Sequence, residues 1–223
     1  MTDVAPHLTY FRFRGLGEPI RLLFEDLGLA YRDHRIGFDE WDALSPQMQF
    51  GQVPRLRIGD LELFQSQAIL RFLARAHGLD GESEAARLRI DISAEAARDT
   101  QQVLWDHFWS PGSDAPAAER EFETGRLAGS LGKLDVWLGD APYFGGEQPA
   151  FADYYALTVV DEAAAFFPAA AEQAARLAAY RRRMAERPGI AAYIASGRQP
   201  EAYGFDPIRG ERRPVEATAR GAE

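Results

Sequence analysis

Two hydrophobic periodicities divide the chain, and the first is confined to its opening third. Short aromatic and β-branched runs predict strands, and Gly59-Asp60 between the last two predicts a tight hairpin. Apolar residues at helical spacing predict one helix with Pro19 in its first turn and a second that Ser66 caps and Gly78 ends. The predicted elements are strands at 8–13, 31–36, 53–58 and 61–64, helices at 19–27 and after Ser66, and an irregular segment at 37–51.

From Glu84 onward the strand signals disappear and alanine becomes abundant, which predicts an all-helical second domain. The helical patterns lie at 84–109, 117–138, 152–166, 171–186 and 188–196. We therefore expect a mixed α/β domain over 1–78, a linker at 79–83, a helical domain over 84–206 and a loose tail over 207–223.

Composition and charge narrow the possible functions. The net charge of −9 argues against a nucleic-acid partner. The absence of cysteine excludes disulfides, a cysteine nucleophile and thiolate metal sites, and the four histidines lack metal-ligand spacing, so no metal is expected. No signal pattern or membrane-length apolar run is present, which predicts a cytoplasmic protein that does not contact membranes.

Four pieces of the first domain converge on one end of the predicted sheet: Tyr10, Trp41, Gln52-Val53-Pro54 and Gln65-Ser66. Three of them have an ordinary interpretation, namely a core tyrosine, a trans proline at a strand start and a serine that only caps its helix. The same three also have a functional interpretation. A phenol can donate a hydrogen bond to a thiolate, a cis proline exposes backbone groups to an added peptide strand, and a helix N-terminus binds a carboxylate.

The order and spacing of these pieces resemble the cytosolic glutathione S-transferases, most of all the tyrosine-type pi and sigma classes. The matching segments are Tyr10-Phe11-Arg12-Phe13-Arg14-Gly15, Phe50-Gly51-Gln52-Val53-Pro54 and Gln65-Ser66-Gln67-Ala68-Ile69, with Phe151-Ala152-Asp153-Tyr154 and Arg187-Pro188 in the second domain. The resemblance covers roughly residues 7 to 200 and implies a thioredoxin-like domain followed by a helical one.

The resemblance also implies residue roles, with glutathione as co-substrate. Tyr10 is expected to activate its thiol, and Val53, before a cis Pro54, to pair with its cysteinyl part. Gln65 and Ser66 would hold the γ-glutamyl end, Trp41 and Gln52 the glycyl end, and Asp99 would approach the glutathione bound by the partner subunit. Phe11 and Trp109 would line the pocket for an apolar electrophile, with Trp105 as the substitute if the register differs by one turn.

Three positions depart from the family pattern. Leu16 stands where an arginine supports the active tyrosine, which bears on catalytic power more than on binding. Ser45 replaces a lysine that contacts the glycyl carboxylate, although Arg14 or Gln47 could partly substitute. Ala150 leaves a helix capping box incomplete, at a cost of about 1 kcal/mol.

Acidic residues at spacing four on the first long helix, Asp91, Glu95 and Asp99, repel one another unless they are compensated. The compensation is either Arg87 and Arg98 on the same helix or Arg71 and Arg75 across a two-fold axis. The resemblance favours the second arrangement, a homodimer with Phe50 inserted into the partner. The alternative for Phe50 is a buried aromatic within its own subunit.

Together these features predict a glutathione transferase in which the thiolate attacks an apolar electrophile. A glutathione-dependent isomerase or peroxidase, and a non-catalytic glutathione-binding scaffold of the same fold, remain as alternatives. Leu16 and Ser45 are the features that favour the scaffold.

Overall fold

The computed structural model describes residues 5–206 and 210–213 and begins with a four-stranded mixed sheet. Strand β1 pairs in parallel with β2, as the intervening helix α1 requires, and antiparallel with β3, which forms a hairpin with β4. The strand order is therefore β2-β1-β3-β4. These elements are β1 His7–Phe11, α1 Glu18–Asp26, β2 Arg32–Ile36, β3 Arg55–Ile58 and β4 Leu61–Phe64.

Helix α3 follows the hairpin, and helices dominate the rest of the described chain. Gly78 ends α3 with a φ of 69°, the left-handed conformation that glycine adopts without strain. Residues 79–83 carry neither helix nor strand, and the domain limits on either side of them stay a prediction. The helices are α3 Ser66–His77, α4 Glu84–Trp109, α5 Pro116–Phe122, α6 Ala128–Leu138, α7 Phe151–Phe166, α8 Pro168–Gln173, α9 Ala175–Ala185 and α10 Pro188–Ala195.

This βαβ–ββα order followed by helices confirms the predicted fold class, whereas several predicted bounds were wrong. The segment predicted as irregular contains helix α2, Phe38–Leu44, because Glu40 accepts the Gly37 N–H at 2.8 Å and so caps its first turn. The pattern at 117–138 is divided by a π-helical turn at Glu123–Leu127, and that at 171–186 by a break at Ala174.

The predicted loose tail was wrong for the part that the structure describes. Strand β5, Gly204–Asp206, pairs antiparallel with β6, Gly210–Arg212. Residues 207–209 and 214–223 lie outside the described residues. Residues 202–203, just before this C-terminal hairpin, are hydrogen-bonded to the loop that follows β1, so the hairpin lies near the sheet.

One hydrophobic core runs through the sheet, its helices and the helical bundle. Asp26, at the end of α1, links the two halves because its carboxylate accepts from Arg187 at 2.7 Å and from the Tyr154 hydroxyl at 2.8 Å. The Arg187-Pro188 and Tyr154 motifs therefore fix α7 and α10 against the first domain. Among the residues described, no helix combines the length and apolar character needed to cross a membrane.

Candidate active site

Tyr10 lies one residue before the end of β1 and is almost covered by the loop that follows. Its side chain is 5% exposed, and its hydroxyl oxygen accepts a hydrogen bond of 2.9 Å from the Leu16 backbone N–H. Gly15 and Gly17 allow this close approach, since a Cβ at Gly17 would lie 2.5 Å from the ring carbon Cδ1 of Tyr10. The loop therefore fixes the position of the phenol.

Burial keeps the Tyr10 phenol neutral. Desolvation raises its pKa to about 12, and the Leu16 N–H and the positive charge of Arg21 act in the opposite direction. Because the oxygen already accepts from Leu16, its own proton remains to be donated. Arg21 is fully buried and holds the loop by donating to the backbone oxygens of Phe11 at 3.0 Å and Phe13 at 3.1 Å.

A cleft of about 240 Å³ opens at the ends of the strands, and we call it the strand-end cleft. It brings together six residues that the sequence predicts to bind glutathione, while Phe11 and Leu16 form the wall nearest to β1. The Val53-Pro54 peptide bond is cis, as the resemblance implies, and it precedes β3 rather than lying within it. The six residues are Trp41, Gln52, Val53, Pro54, Gln65 and Ser66.

The N-terminus of α3 forms one side of this cleft, but its cap differs from the prediction. Ser66 is the first helical residue, and Gln65 occupies the capping position with a φ of 67°. Such a φ is uncommon for a residue other than glycine, and it turns the chain sharply from β4 into the helix. The Gln65 side chain donates to Gln52 at 3.4 Å across the cleft.

A second pocket of about 190 Å³ continues from the same helix terminus toward α4. The two pockets are neighbours, because both are lined by Leu16, Gln65 and Ser66. Trp105 lines the second pocket, whereas Trp109 is 51% exposed and is not among its lining residues. Of the two predicted alternatives, Trp105 therefore lines this pocket and Trp109 does not.

Comparison with known proteins identifies the family. Residues 6–75 match the profile "Glutathione S-transferase, N-terminal domain" and residues 98–197 the profile "Glutathione S-transferase, C-terminal domain". The chain is 37% identical to a Glutathione S-transferase P of Caenorhabditis elegans over 191 residues, which is 84% of this chain and 90% of that protein. The chain belongs to the glutathione S-transferase family.

Other relatives agree with this assignment. A hematopoietic prostaglandin D synthase of Gallus gallus is 32% identical over 190 residues, covering 84% of this chain and 94% of that protein. The solved structure of a pi-class glutathione S-transferase of Onchocerca volvulus matches with a TM-score of 0.80 and 31% identity, covering 86% of this chain and 93% of that one. The predicted resemblance and the prediction of an enzyme are confirmed.

Arg14 and Gln47, the possible substitutes for the missing lysine, are not among the residues that line the strand-end cleft. Arg14 forms an ion pair with Asp161 at 2.5 Å, and its guanidinium lies 4.0 Å from the ring centre of Tyr203. It lines a separate cavity of about 330 Å³. The Gln47 amide donates to the Ala43 carbonyl at 3.1 Å.

The charged residues predicted for a dimer interface are partly paired within the chain. Arg71 donates to Asp91 at 2.7 Å and to Glu95 at 3.0 Å, an arrangement that neither of the two predicted pairings included. Arg98 pairs with Glu95 on the same helix, as one alternative expected, but Arg87 pairs with Asp80. Arg75 and Asp99 are exposed in the single chain.

Phe50 is 60% exposed at the rim of the strand-end cleft, so its interpretation as a buried aromatic of its own subunit was wrong. Its ring makes an edge contact with Phe64, with ring centroids 6.1 Å apart. A single exposed phenylalanine is ordinary on a protein surface, so its insertion into a partner subunit stays a prediction.

An aromatic wall beside the cleft was not anticipated from the sequence. Phe11 stacks on Phe38 of α2 at 4.9 Å between ring centroids, and Phe38 contacts Phe205 of the C-terminal hairpin at 4.1 Å. Phe11 also meets Trp41 edge-on at 5.4 Å. Only the alternation of aromatic residues in Tyr10-Phe11-Arg12-Phe13 hinted at this wall, and nothing local indicated its partners.

Proposed function

We propose that Tyr10 activates the glutathione thiol for attack on an apolar electrophile. The observation that carries this proposal is the hydrogen bond from the Leu16 N–H to the Tyr10 oxygen. That bond orients the hydroxyl and occupies it as an acceptor, so its proton is available to a sulfur anion. A hydrogen bond to the anion stabilises it and lowers the thiol pKa from its reference value of about 8.5.

The strand-end cleft offers complementary groups for the rest of glutathione. The N-terminus of α3 presents backbone N–H groups and a partial positive charge to the γ-glutamyl carboxylate, with Ser66 and Gln65 beside it. The Val53 backbone pairs with the cysteinyl part as an added strand would. Trp41 and Gln52 contact the glycyl end, which lacks a lysine partner because Ser45 occupies that position.

The reaction is a nucleophilic attack by the thiolate. Its sulfur forms a bond to an electrophilic carbon, a leaving group departs with the bonding electrons, and the thiol proton passes to solvent. Phe11 and Trp105 provide apolar surface for the electrophile. Tyr10 remains protonated throughout because its pKa is raised to about 12.

The same proposal includes a homodimer. Phe50 is exposed beside the cleft, and burying one such side chain contributes about 1.5–3 kcal/mol. Arg75, together with the Arg71, Asp91 and Glu95 cluster, lies on α3 and α4 and forms a mixed-charge surface suited to a two-fold partner. Asp99 on α4 is exposed and would approach the γ-glutamyl amine held by the partner.

Steady-state kinetics with glutathione and an aryl halide test the mechanism. Tyr10→Phe is expected to lower kcat/KM by on the order of 10- to 100-fold, the value of one hydrogen bond to a charged group. Calorimetry should show that glutathione still binds. Tyr31→Phe is the matched control, because its hydroxyl contacts Glu25 at 3.1 Å, remote from the cleft. Equal rates in the two variants would contradict the role of Tyr10, and glutathione binding without turnover in the wild type would support the scaffold alternative.

A further inference from the structure

The two residues that lead into the C-terminal hairpin are bonded to the loop that positions Tyr10. The backbone N–H of Arg14 donates to the Ala202 carbonyl at 2.9 Å, and that of Gly15 donates to the Tyr203 carbonyl at 2.8 Å. The next residue, Leu16, supplies the N–H that holds the Tyr10 oxygen. Ala202 also packs in one small cluster with Tyr10 and Phe13. A displacement of residues 202–203 is therefore transmitted to the phenol through two consecutive residues.

The hairpin is itself anchored by a buried ion pair. Tyr203 donates its backbone N–H to the Arg212 carbonyl at 2.9 Å, and the Arg212 guanidinium meets the Glu162 carboxylate of α7 at 3.2 Å. The two side chains are only 6% and 3% exposed. The guanidinium also lies 3.9 Å from the ring centre of Phe108 on α4. Strand β6 is thereby fixed to helices α7 and α4 behind the site.

Burying two charges for stability alone is inefficient, because the desolvation of the ions offsets most of their attraction. The Arg212–Glu162 pair is better explained by its effect on the position of the hairpin. The Glu162 carboxyl also interacts with the Trp105 side chain, which lines the second pocket. Arg212 and Glu162 both lie close enough to influence the Tyr10 phenol, Arg212 lowering its pKa and Glu162 raising it.

We propose that Arg212 is a positioning residue for the thiol-activating tyrosine: its buried ion pair with Glu162 holds the C-terminal hairpin against the Arg14–Leu16 loop and so fixes the acceptor bond of Tyr10. This inference rests on the proposed function of Tyr10. It also explains how the loop tolerates the apolar Leu16, because residues 202–203 and Arg212 hold the loop from outside it.

A second anchor, which we call the Asp161 cluster, lies next to this ion pair and joins the residues before the hairpin to the loop. The Tyr203 hydroxyl donates to Asp161 at 2.8 Å, and the same carboxylate receives Arg14 and Arg181. Asp161 and Glu162 are consecutive on α7, so one helix turn anchors both the loop and the hairpin. Removing the Arg212 charge leaves the Asp161 cluster in place. We therefore expect an Arg212 variant to stay folded while the position of the loop changes.

The test is the pH profile of kcat/KM for Arg212→Gln, Arg212→Lys and Arg213→Gln. Arg213 is the matched control, because it is the adjacent residue, is 57% exposed and pairs with Glu201 at 2.7 Å. We expect Arg212→Gln to move the acid limb up by about one pH unit, which is a tenfold loss at pH values below the limb of both proteins. Arg212→Lys should restore part of the loss, and Arg213→Gln should match the wild type.

A double variant, Glu162→Gln with Arg212→Gln, leaves no unpaired buried charge and so keeps the test valid if Arg212→Gln does not fold. We expect it to fold and still to show the raised acid limb, because neutral amides hold the hairpin less firmly. A wild-type profile in a folded Arg212→Gln or in the double variant would overturn the proposal. Tyr10→Phe is run in parallel: a wild-type profile in that variant would overturn the role of Tyr10 itself, whereas a shift there without a shift at Arg212 would overturn only the role of Arg212.

Discussion

Replacing Gly17 by alanine adds one methyl group directly behind the ring of Tyr10. An ideal Cβ at this position lies 2.5 Å from Cδ1 and 2.6 Å from Cγ of that ring. Ordinary carbon contacts are about 3.5–4.0 Å, so the ring or the loop must move by roughly 1 Å. The φ of Gly17 is −82°, which alanine adopts readily, and the perturbation is therefore steric.

The movement of the Tyr10 ring sets the expected losses of activity and stability. A shift of about 1 Å in a reacting group costs on the order of 100-fold in rate. The overpacking lowers the free energy of unfolding by about 1–3 kcal/mol. The assay is turnover with saturating glutathione and an aryl halide, together with thermal unfolding and calorimetric glutathione binding. Binding should change little, because Gln52, Gln65 and Ser66 lie on other segments.

Gly129→Ala is the matched control, since a Cβ there meets no heavy atom within 4 Å. It lies in α6, where alanine is favoured over glycine by about 0.5–1 kcal/mol, so this variant should be equally active and slightly more stable. If Gly17→Ala turned over glutathione as fast as Gly129→Ala, the position of the Tyr10 ring would not limit catalysis, and the reasoning would be refuted.

Three further outcomes are expected. Arg21→Met removes the partner of buried Glu18 and should lower the free energy of unfolding by about 3–5 kcal/mol in urea titrations. The control Arg126→Met breaks an exposed ion pair and should lower it by less than about 1 kcal/mol. Equal losses in the two variants would contradict the structural role of Arg21. Phe50→Ser should weaken self-association by at least about 2 kcal/mol in sedimentation, and an unchanged dimer would exclude it as an anchor. Burial raises the pKa of Tyr10 above its unfolded value of 10.0 to about 12, so the phenol keeps its proton below that pH. We therefore expect kcat/KM to show no loss through phenol ionisation up to about pH 10. A tyrosine-dependent fall at lower pH would contradict the role of Tyr10 as a neutral hydrogen-bond donor.

The elements predicted best from sequence are those whose signals are local. Helix α4 begins at Glu84 and ends at Trp109, as predicted, because its apolar period is long and Ser83 caps its first turn through the Ala86 N–H. Six of the residues predicted to bind glutathione line one cleft, because most of them lie next to the ends of strands β3 and β4. Their roles in binding remain predictions.

The features missed depend on contacts between distant segments. The residues around Pro207, Gly210 and Pro214 have the composition of a loose tail, yet β6 forms because Tyr203 and Arg212 pair beside the Arg14 loop. The positive φ of Gln65 likewise has no local signal, because glycine or asparagine is the usual residue there. The choice between Trp105 and Trp109 required the actual rotation of α4 against the first domain.

The ultraviolet absorbance of the thiolate, followed against pH for glutathione bound to the wild type and to Tyr10→Phe, tests the proposed mechanism most directly. The wild type should hold the bound thiol's pKa well below about 8.5, the value for a free thiol. The variant should raise it by about one to two units, because a hydrogen bond to a charged group contributes about 1.5–3 kcal/mol. The same thiol pKa in both proteins would contradict activation by Tyr10.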